Sequence, residues 1–143
     1  MKNRQIYTAG KMGGLLPKEY KKWRNDLTEN LFYKMDSDRV DLTVINPHEY
    51  FGFEKKLHDN MLEIINWELN AVKNSDVIIV NLDFDNSTGT NIELYTAWQN
   101  NIPVIAYSSK GISHHPWVEE FITRKFKNWD TLVEYVLDYH INV

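Results

Sequence analysis

Apolar positions along this chain follow two rhythms that alternate, and the switch between them falls where Gly, Pro or Asn interrupts the pattern. Residues 4–9 (RQIYTA) and 41–45 (DLTVI) are short stretches rich in β-branched and aromatic side chains, and each predicts a strand. Residues 76–82 (DVIIVNL) have a continuous apolar centre that is too short for a helix, the mark of a parallel strand covered on both faces. Residues 102–107 (IPVIAY) predict a fourth strand and 124–126 (RKF) a short edge strand. Helical spacing fills the intervals. Tyr20, Trp23, Leu27 and Leu31 recur through 17–31, with Pro17 suited to the first helical position. Leu57, Met61, Ile64, Ile65, Leu69 and Val72 recur through 57–74, after an aromatic loop over 47–56 that follows Asn46-Pro47. A helix opening near Asn91 is expected to share Ile92, Tyr95, Ala97 and Trp98 on one face. A short helix is expected over 115–122, and a terminal helix over 131–139 turns Leu132, Val133, Val136 and Leu137 inward. The β-α-β-α order predicts an α/β, flavodoxin-like, doubly wound and mostly parallel sheet of about five strands, with helices on both faces. No repeat, linker or low-complexity tract divides the pattern, so residues 1–143 are expected to form a single domain.

Composition narrows the function classes. With 143 residues, 43% hydrophobic and 25% charged, the chain is long enough for a substantial core. No segment reaches membrane-spanning length, and MKNRQIYTAG carries no apolar signal region, so a soluble, cytoplasmic protein is expected. A net charge of −4 argues against a broad phosphate-backbone footprint, so polymeric nucleic acid is not the expected partner. Small nucleic-acid components remain plausible ligands. The absence of cysteine excludes disulfides, thiol catalysis and thiolate metal sites. His48, His58, His114, His115 and His140 have no ligand spacing, so neither a metal nor a cofactor is expected. The loop Gly10-Lys11-Met12-Gly13-Gly14 matches neither the dinucleotide fingerprint nor a Walker loop.

The chemistry concentrates in SDVIIVNLDFDNSTGTNIELYTA, residues 75–97. Ligands of open α/β sheets bind at the carboxyl ends of strands, and a helix N-terminus there offers free N–H groups and a positive dipole end. A polar loop over 83–90 is expected, with Gly89 supplying a positive φ or a close backbone approach, and Glu93 in about the first helical turn. A carboxylate so placed tends to stay ionised, and it either complements the dipole or acts on a ligand. Tyr7 is either a core residue or a site residue, Glu68 a surface acid or a site acid, and Lys11 a solvated lysine or a phosphate partner. Trp23, Trp67 and Trp98 read as core or interface, whereas Trp117, in HHPWVEEF, covers a pocket or meets a neighbouring subunit.

Four features taken together resemble the nucleoside 2-deoxyribosyltransferase family, including its relatives that hydrolyse nucleoside 5′-monophosphates at the N-glycosidic bond. They are IYTAGKMGG, SDVIIVNLD, the S-x-G-T-x-x-E-L run in STGTNIELYTA, and IPVIAY, which span nearly the whole chain in order. The resemblance implies that Glu93 is the nucleophile that attacks the anomeric carbon, and that the Tyr7 hydroxyl holds it in place. Gly10, Lys11, Gly89 and Thr90 fall in loops that the family uses to bind substrate. Glu68, eight positions before Asp76, stands where the family usually carries an aspartate that contacts the base, a departure that keeps the acid and adds a methylene. Ser87 stands where many of the transferases that use free nucleosides have an aspartate for the sugar 5′-hydroxyl, and where the monophosphate hydrolases have serine. A hydroxyl can donate to a phosphate that a carboxylate would repel, and Lys11 would add a cation. Against the phosphate, Asp83 and Asp85 sit in the same loop, and in a slightly different register Asp85 would serve the 5′-hydroxyl instead. The resemblance also implies homo-oligomers with shared active sites, making the HHPWVEEF segment and the C-terminus candidate interface elements.

Cleaving an N-glycosidic bond builds oxocarbenium character at C1′ and leaves a base that needs a proton or strong hydrogen bonds, so one ionised carboxylate and one acid meet the demand. Three readings follow: a nucleoside 2′-deoxyribosyltransferase working through a covalent deoxyribosyl-glutamate, a 5′-monophosphate N-glycosidase releasing free base, and a non-catalytic nucleotide-sensing flavodoxin-like module. A receiver is disfavoured, because GKMGG has no acid after the first strand.

Overall fold

The computed structural model describes residues 1–50, 58–84, 87–111 and 115–143. Five strands form one sheet in the order β2-β1-β3-β4-β5, and every neighbouring pair is parallel. The strands are β1 (Lys2–Ala9), β2 (Val40–Ile45), β3 (Val77–Asn81), β4 (Val104–Tyr107) and β5 (Arg124–Phe126). The helices are α1 (Pro17–Lys34), α2 (Met61–Lys73), α3 (Thr88–Gln99), α4 (Pro116–Glu120) and α5 (Trp129–Val136). A 3₁₀ turn over Pro47–Glu49 follows β2, and a π turn over Leu137–Ile141 follows α5. Among the described residues no helix is long and apolar enough to cross a membrane.

Alternation along the strands feeds two cores. Ile6, Val77, Ile79 and Ile105 face one layer with Leu27 and Leu31 of α1 and Leu132, Val133 and Val136 of α5. Tyr7, Ile78, Val80, Val104 and Ala106 face the other layer with Val72 of α2, Leu94 and Ala97 of α3 and Val118 of α4. The central strand β3 is buried at every position, as its unbroken apolar run predicts. The chain therefore crosses to opposite faces on leaving β1 and β3, and a crevice opens between their carboxyl ends.

The structure corrects several expectations at element edges. β1 begins at Lys2 and α1 continues to Lys34. α2 starts at Met61, where Asn60 caps it by accepting from Glu63 N; Leu57, expected in this helix, lies outside the described residues with the rest of 51–57. α3 starts at Thr88, because Ser87 is its N-cap and accepts from Thr90 N at 3.2 Å. Gly89 is thus inside the helix, does not take a positive φ, and a Cβ there would meet nothing within 4 Å. The buried residues of α3 are Thr90, Glu93, Leu94, Thr96 and Ala97; of the expected stripe only Ala97 is inward, while Ile92, Tyr95 and Trp98 are about half exposed. Two rings on an outer helix face pass for an inward stripe when only spacing is read. α4 is limited to Pro116–Glu120, and the last helix is Trp129–Val136 with Leu132, Val133 and Val136 inward as expected, while Leu137, also buried, opens the π turn.

Candidate active site

Gly10 ends β1 in close quarters. A Cβ there would lie 2.9 Å from Trp23 Cζ2, so glycine is required for the indole to pack against the strand end. Beyond it, Gly10, Lys11, Met12 and Gly13 form one wall of a cavity of about 360 Å³. That is within the range of about 300–1,000 Å³ usual for small-molecule sites. Met61, Ile64 and Glu68 of α2 form a second wall; Ser87, Thr88, Gly89, Thr90 and Glu93 of α3 form a third; Pro47, His58 and Arg24 complete it. The cavity is mixed in character, with an apolar side at Met61 and Ile64 and a polar end at the start of α3.

Glu93 sits in the second turn of α3, 7% exposed, and its Oε2 accepts a hydrogen bond from the Tyr7 hydroxyl. This corrects the expectation of a first-turn carboxylate that is kept ionised by the helix dipole. Burial is the larger effect: it raises the Glu93 carboxyl to about 8, with the neighbouring Glu68 pushing the same way and the Tyr7 hydrogen bond and Arg24 opposing. Tyr7 is fully buried, and burial together with Glu93 drives its hydroxyl far above the usual phenol range. Tyr7 therefore stays a proton donor at any physiological pH. Glu68 is half-buried, and desolvation raises its carboxyl while Arg24 opposes the rise. Two acids thus share one cavity in an environment that resists ionising both.

The polar end is built by a cap. Ser87 Oγ accepts from both Thr90 N and Thr90 Oγ1, the latter at 2.8 Å, which leaves the serine's own hydrogen to donate elsewhere. With the first N–H groups of α3 and the half-buried Lys11, this end suits an anion or a hydroxyl.

Of the residues singled out from sequence, Gly10, Lys11, Glu68, Ser87, Gly89, Thr90 and Glu93 line this cavity, and Tyr7 lies beneath it through its bond to Glu93. Asp83 does not join them. It lines a separate cavity with Trp23, Tyr107 and Trp129, and its Oδ1 accepts from Ser109 N at 2.9 Å, tying the loops after β3 and β4 together. Asp85 lies outside the described residues, as does His114. Among the described residues no cluster of acidic and histidine side chains could hold a metal ion.

Sequence reasoning missed Arg24. It is 1% exposed and lines the cavity from α1. The signal was present: Tyr20, Arg24, Leu27 and Leu31 keep helical spacing, so Arg24 occupies a position on the buried stripe. A charged residue on an inward stripe is the informative exception.

Comparisons with known proteins bear on this arrangement. A family model described as "Nucleoside 2-deoxyribosyltransferase like" matches residues 3–110. No match to the chain exists among curated protein sequences. A 2-deoxyribosyltransferase from Bacillus psychrosaccharolyticus is similar in structure, with a TM-score of 0.72 and 19% identity over 92% of this chain and 91% of that one. A 2-deoxyribosyltransferase from Leishmania mexicana matches with a TM-score of 0.59 and 16% identity, covering 96% and 99%. A CMP N-glycosidase from Clostridium botulinum matches with a TM-score of 0.55 and 15% identity, covering 95% and 100%. At these identities the structural likeness establishes the fold.

Proposed function

The chain belongs to the nucleoside 2-deoxyribosyltransferase-like family, and from that premise we propose that it exchanges the base of 2′-deoxynucleosides through a covalent intermediate on Glu93. The observation that carries this reading is the buried Glu93 carboxyl, hydrogen-bonded by Tyr7 and opening with Glu68 onto one cavity. A Glu93 oxygen attacks C1′, the C1′–N bond breaks, and its electron pair leaves with the base. Glu68, its carboxyl raised by burial, supplies the proton that the base needs. A second base then attacks C1′ and gives its N–H proton to Glu68, the sugar–glutamate bond breaks, and the carboxylate is restored with net retention. Tyr7 positions Glu93 and steadies its charge through one hydrogen bond.

A second reading is a 5′-monophosphate N-glycosidase, in which water takes the place of the incoming base. Ser87 favours it. The free hydroxyl hydrogen at the start of α3, with Lys11 across the same cavity, is the chemistry a phosphate selects. The family acts on small-molecule nucleosides or nucleotides, and we further propose that this chain works as a homo-oligomer. Trp117 is 74% exposed and Trp98 52% exposed, large apolar surfaces that a second copy would cover.

Chromatography of the protein with thymidine plus adenine, beside deoxynucleoside monophosphates alone, tests both readings. Deoxyadenosine appearing supports the transferase. Free base released only from the monophosphates supports the glycosidase, and no product in either incubation contradicts both.

A further inference from the structure

Arg24 heads the fully buried side chains by volume, yet its hydrogen-bond partners among the described residues are all neutral. Nε donates to Thr8 Oγ1 at 3.2 Å, Nη1 to the Tyr20 carbonyl at 2.8 Å and Nη2 to the Gly10 carbonyl at 3.0 Å. Thr8 in turn donates to Asn46 Oδ1, and a carboxylate enters only beyond that, where Asn46 Nδ2 donates to Glu49 Oε1 at 3.3 Å, so no anion bonds the guanidinium directly among the described residues. The guanidinium carbon also lies 4.4 Å from the centroid of the Trp23 ring. Trp23 stacks on Trp129 at 5.7 Å, and Trp129 on Tyr107 at 4.0 Å. This aromatic stack reaches from the end of β4 to Arg24 and, with the three donated bonds, fixes the guanidinium in place.

A buried cation among neutral dipoles is costly unless an anion faces it. The cavity that Arg24 lines contains two groups able to supply one, Glu93 from α3 and Glu68 from α2. We propose that Arg24 is a positioning residue of this site: its fixed, buried charge holds one of the two carboxyls ionised while the other keeps a proton. Both carboxyls ionised would leave surplus negative charge in a buried space, and both protonated would leave Arg24 unpaired. One of each balances. This rests on the reading of Glu93 as nucleophile and deepens it: the pair holds one proton, kept in the resting enzyme by the more deeply buried Glu93, and that proton passes to Glu68 before Glu93 attacks, which leaves a nucleophilic carboxylate and a protonated acid. The other titratable groups around the cavity and its network are Tyr7 on β1, Tyr20 on α1, Lys11 in the glycine loop, His48 and Glu49 in the turn after β2 and His58 ahead of α2. The electrostatics agree: Arg24 pulls both carboxyls toward ionisation, whereas Glu68 pushes Glu93 away from it. Arg24 itself is lowered by burial only to about 10, so it remains charged at neutral pH.

The test needs no substrate. Protein carrying ¹³C at the glutamate carboxyls is titrated by NMR as wild type, Glu68→Gln and Arg24→Met, with the Glu93 resonance identified by its loss in Glu93→Gln. In Glu68→Gln, which is isosteric, Glu93 becomes the sole counter-charge, and its titration is expected to move down by about one pH unit, tenfold in its proton equilibrium. In Arg24→Met both carboxyls are expected to move up by at least about as much. Arg24→Lys retains the charge and is the substitute if the methionine variant does not fold; its carboxyls are expected to stay within about 0.5 unit of wild type. An unchanged Glu93 titration in Glu68→Gln overturns the proposal. A protein with linked titrations that acts on no nucleoside keeps the charge assignment and loses the function, while an active one with independent titrations does the reverse.

Discussion

Glu93 is where the account is most exposed at the scale of one residue. Glu93→Gln keeps the shape and removes both charge and nucleophile, so turnover is expected to fall by at least about 10³-fold while the fold is retained, measured by product release and circular dichroism. The same change has a stability signature. A carboxyl at about 8 in the folded chain, against roughly 4.5 when unfolded, binds more protons in the folded state across that window. Its contribution is complete below the unfolded value and is lost as pH rises through 8. The melting temperature of the wild type, minus that of Glu93→Gln, is therefore expected to decrease steadily from pH 5 to pH 9, and a flat difference would remove Glu93 from its buried setting. Tyr7→Phe deletes the hydroxyl that donates to Glu93 and is expected to slow turnover by roughly 10- to 100-fold, the equivalent of about 1–3 kcal/mol, with KM little changed. An unaltered kcat would mean that the Tyr7 bond is structural alone.

Elements, rather than side chains, set the polar end of the cavity. Ser87 caps α3 and borders the site at once, so Ser87→Ala is expected to cost about 1 kcal/mol in stability through the lost cap, read from denaturant midpoints. If the monophosphate reading is correct, the same variant raises KM for monophosphates and leaves KM for free nucleosides unchanged. Gly10→Ala is expected to cost roughly 1–3 kcal/mol, because the new methyl meets Trp23 at 2.9 Å. Sequence pattern reached these elements unevenly. The run around Val77 to Asn81 was plain because a strand buried on both faces has no polar interruptions. The start of α3 was not, because a serine followed by Thr-Gly-Thr reads as a turn until the Thr90 amide is seen bonded to Ser87. The outward Ile92, Tyr95 and Trp98 misled for the opposite reason, since apolar spacing alone does not say which side of a helix is covered.

Over the whole molecule, the sheet order explains why these groups meet. The chain turns to opposite faces after β1 and β3, so α1 delivers Arg24 from one side and α2 and α3 deliver Glu68 and Glu93 from the other. Tyr7 and Glu93, far apart in the chain, were assigned to one site through motif resemblance, since spacing along a sequence carries no distance between them. Arg24 escaped because an arginine in a helix reads as surface until its neighbours on the stripe are known to be buried. The parallel sheet supplies the scaffold, and the chemistry depends on a few carboxyls held away from water.

The central claim is a sugar bonded to Glu93 during turnover, and the direct measurement is mass spectrometry of protein quenched within one turnover of a deoxynucleoside or its monophosphate. The account predicts a deoxyribosyl mass increment, with or without phosphate, on the peptide containing Glu93, present in the wild type and absent in Glu93→Gln. Product formation at wild-type rate by Glu93→Gln, with no modified peptide in either protein, would contradict it.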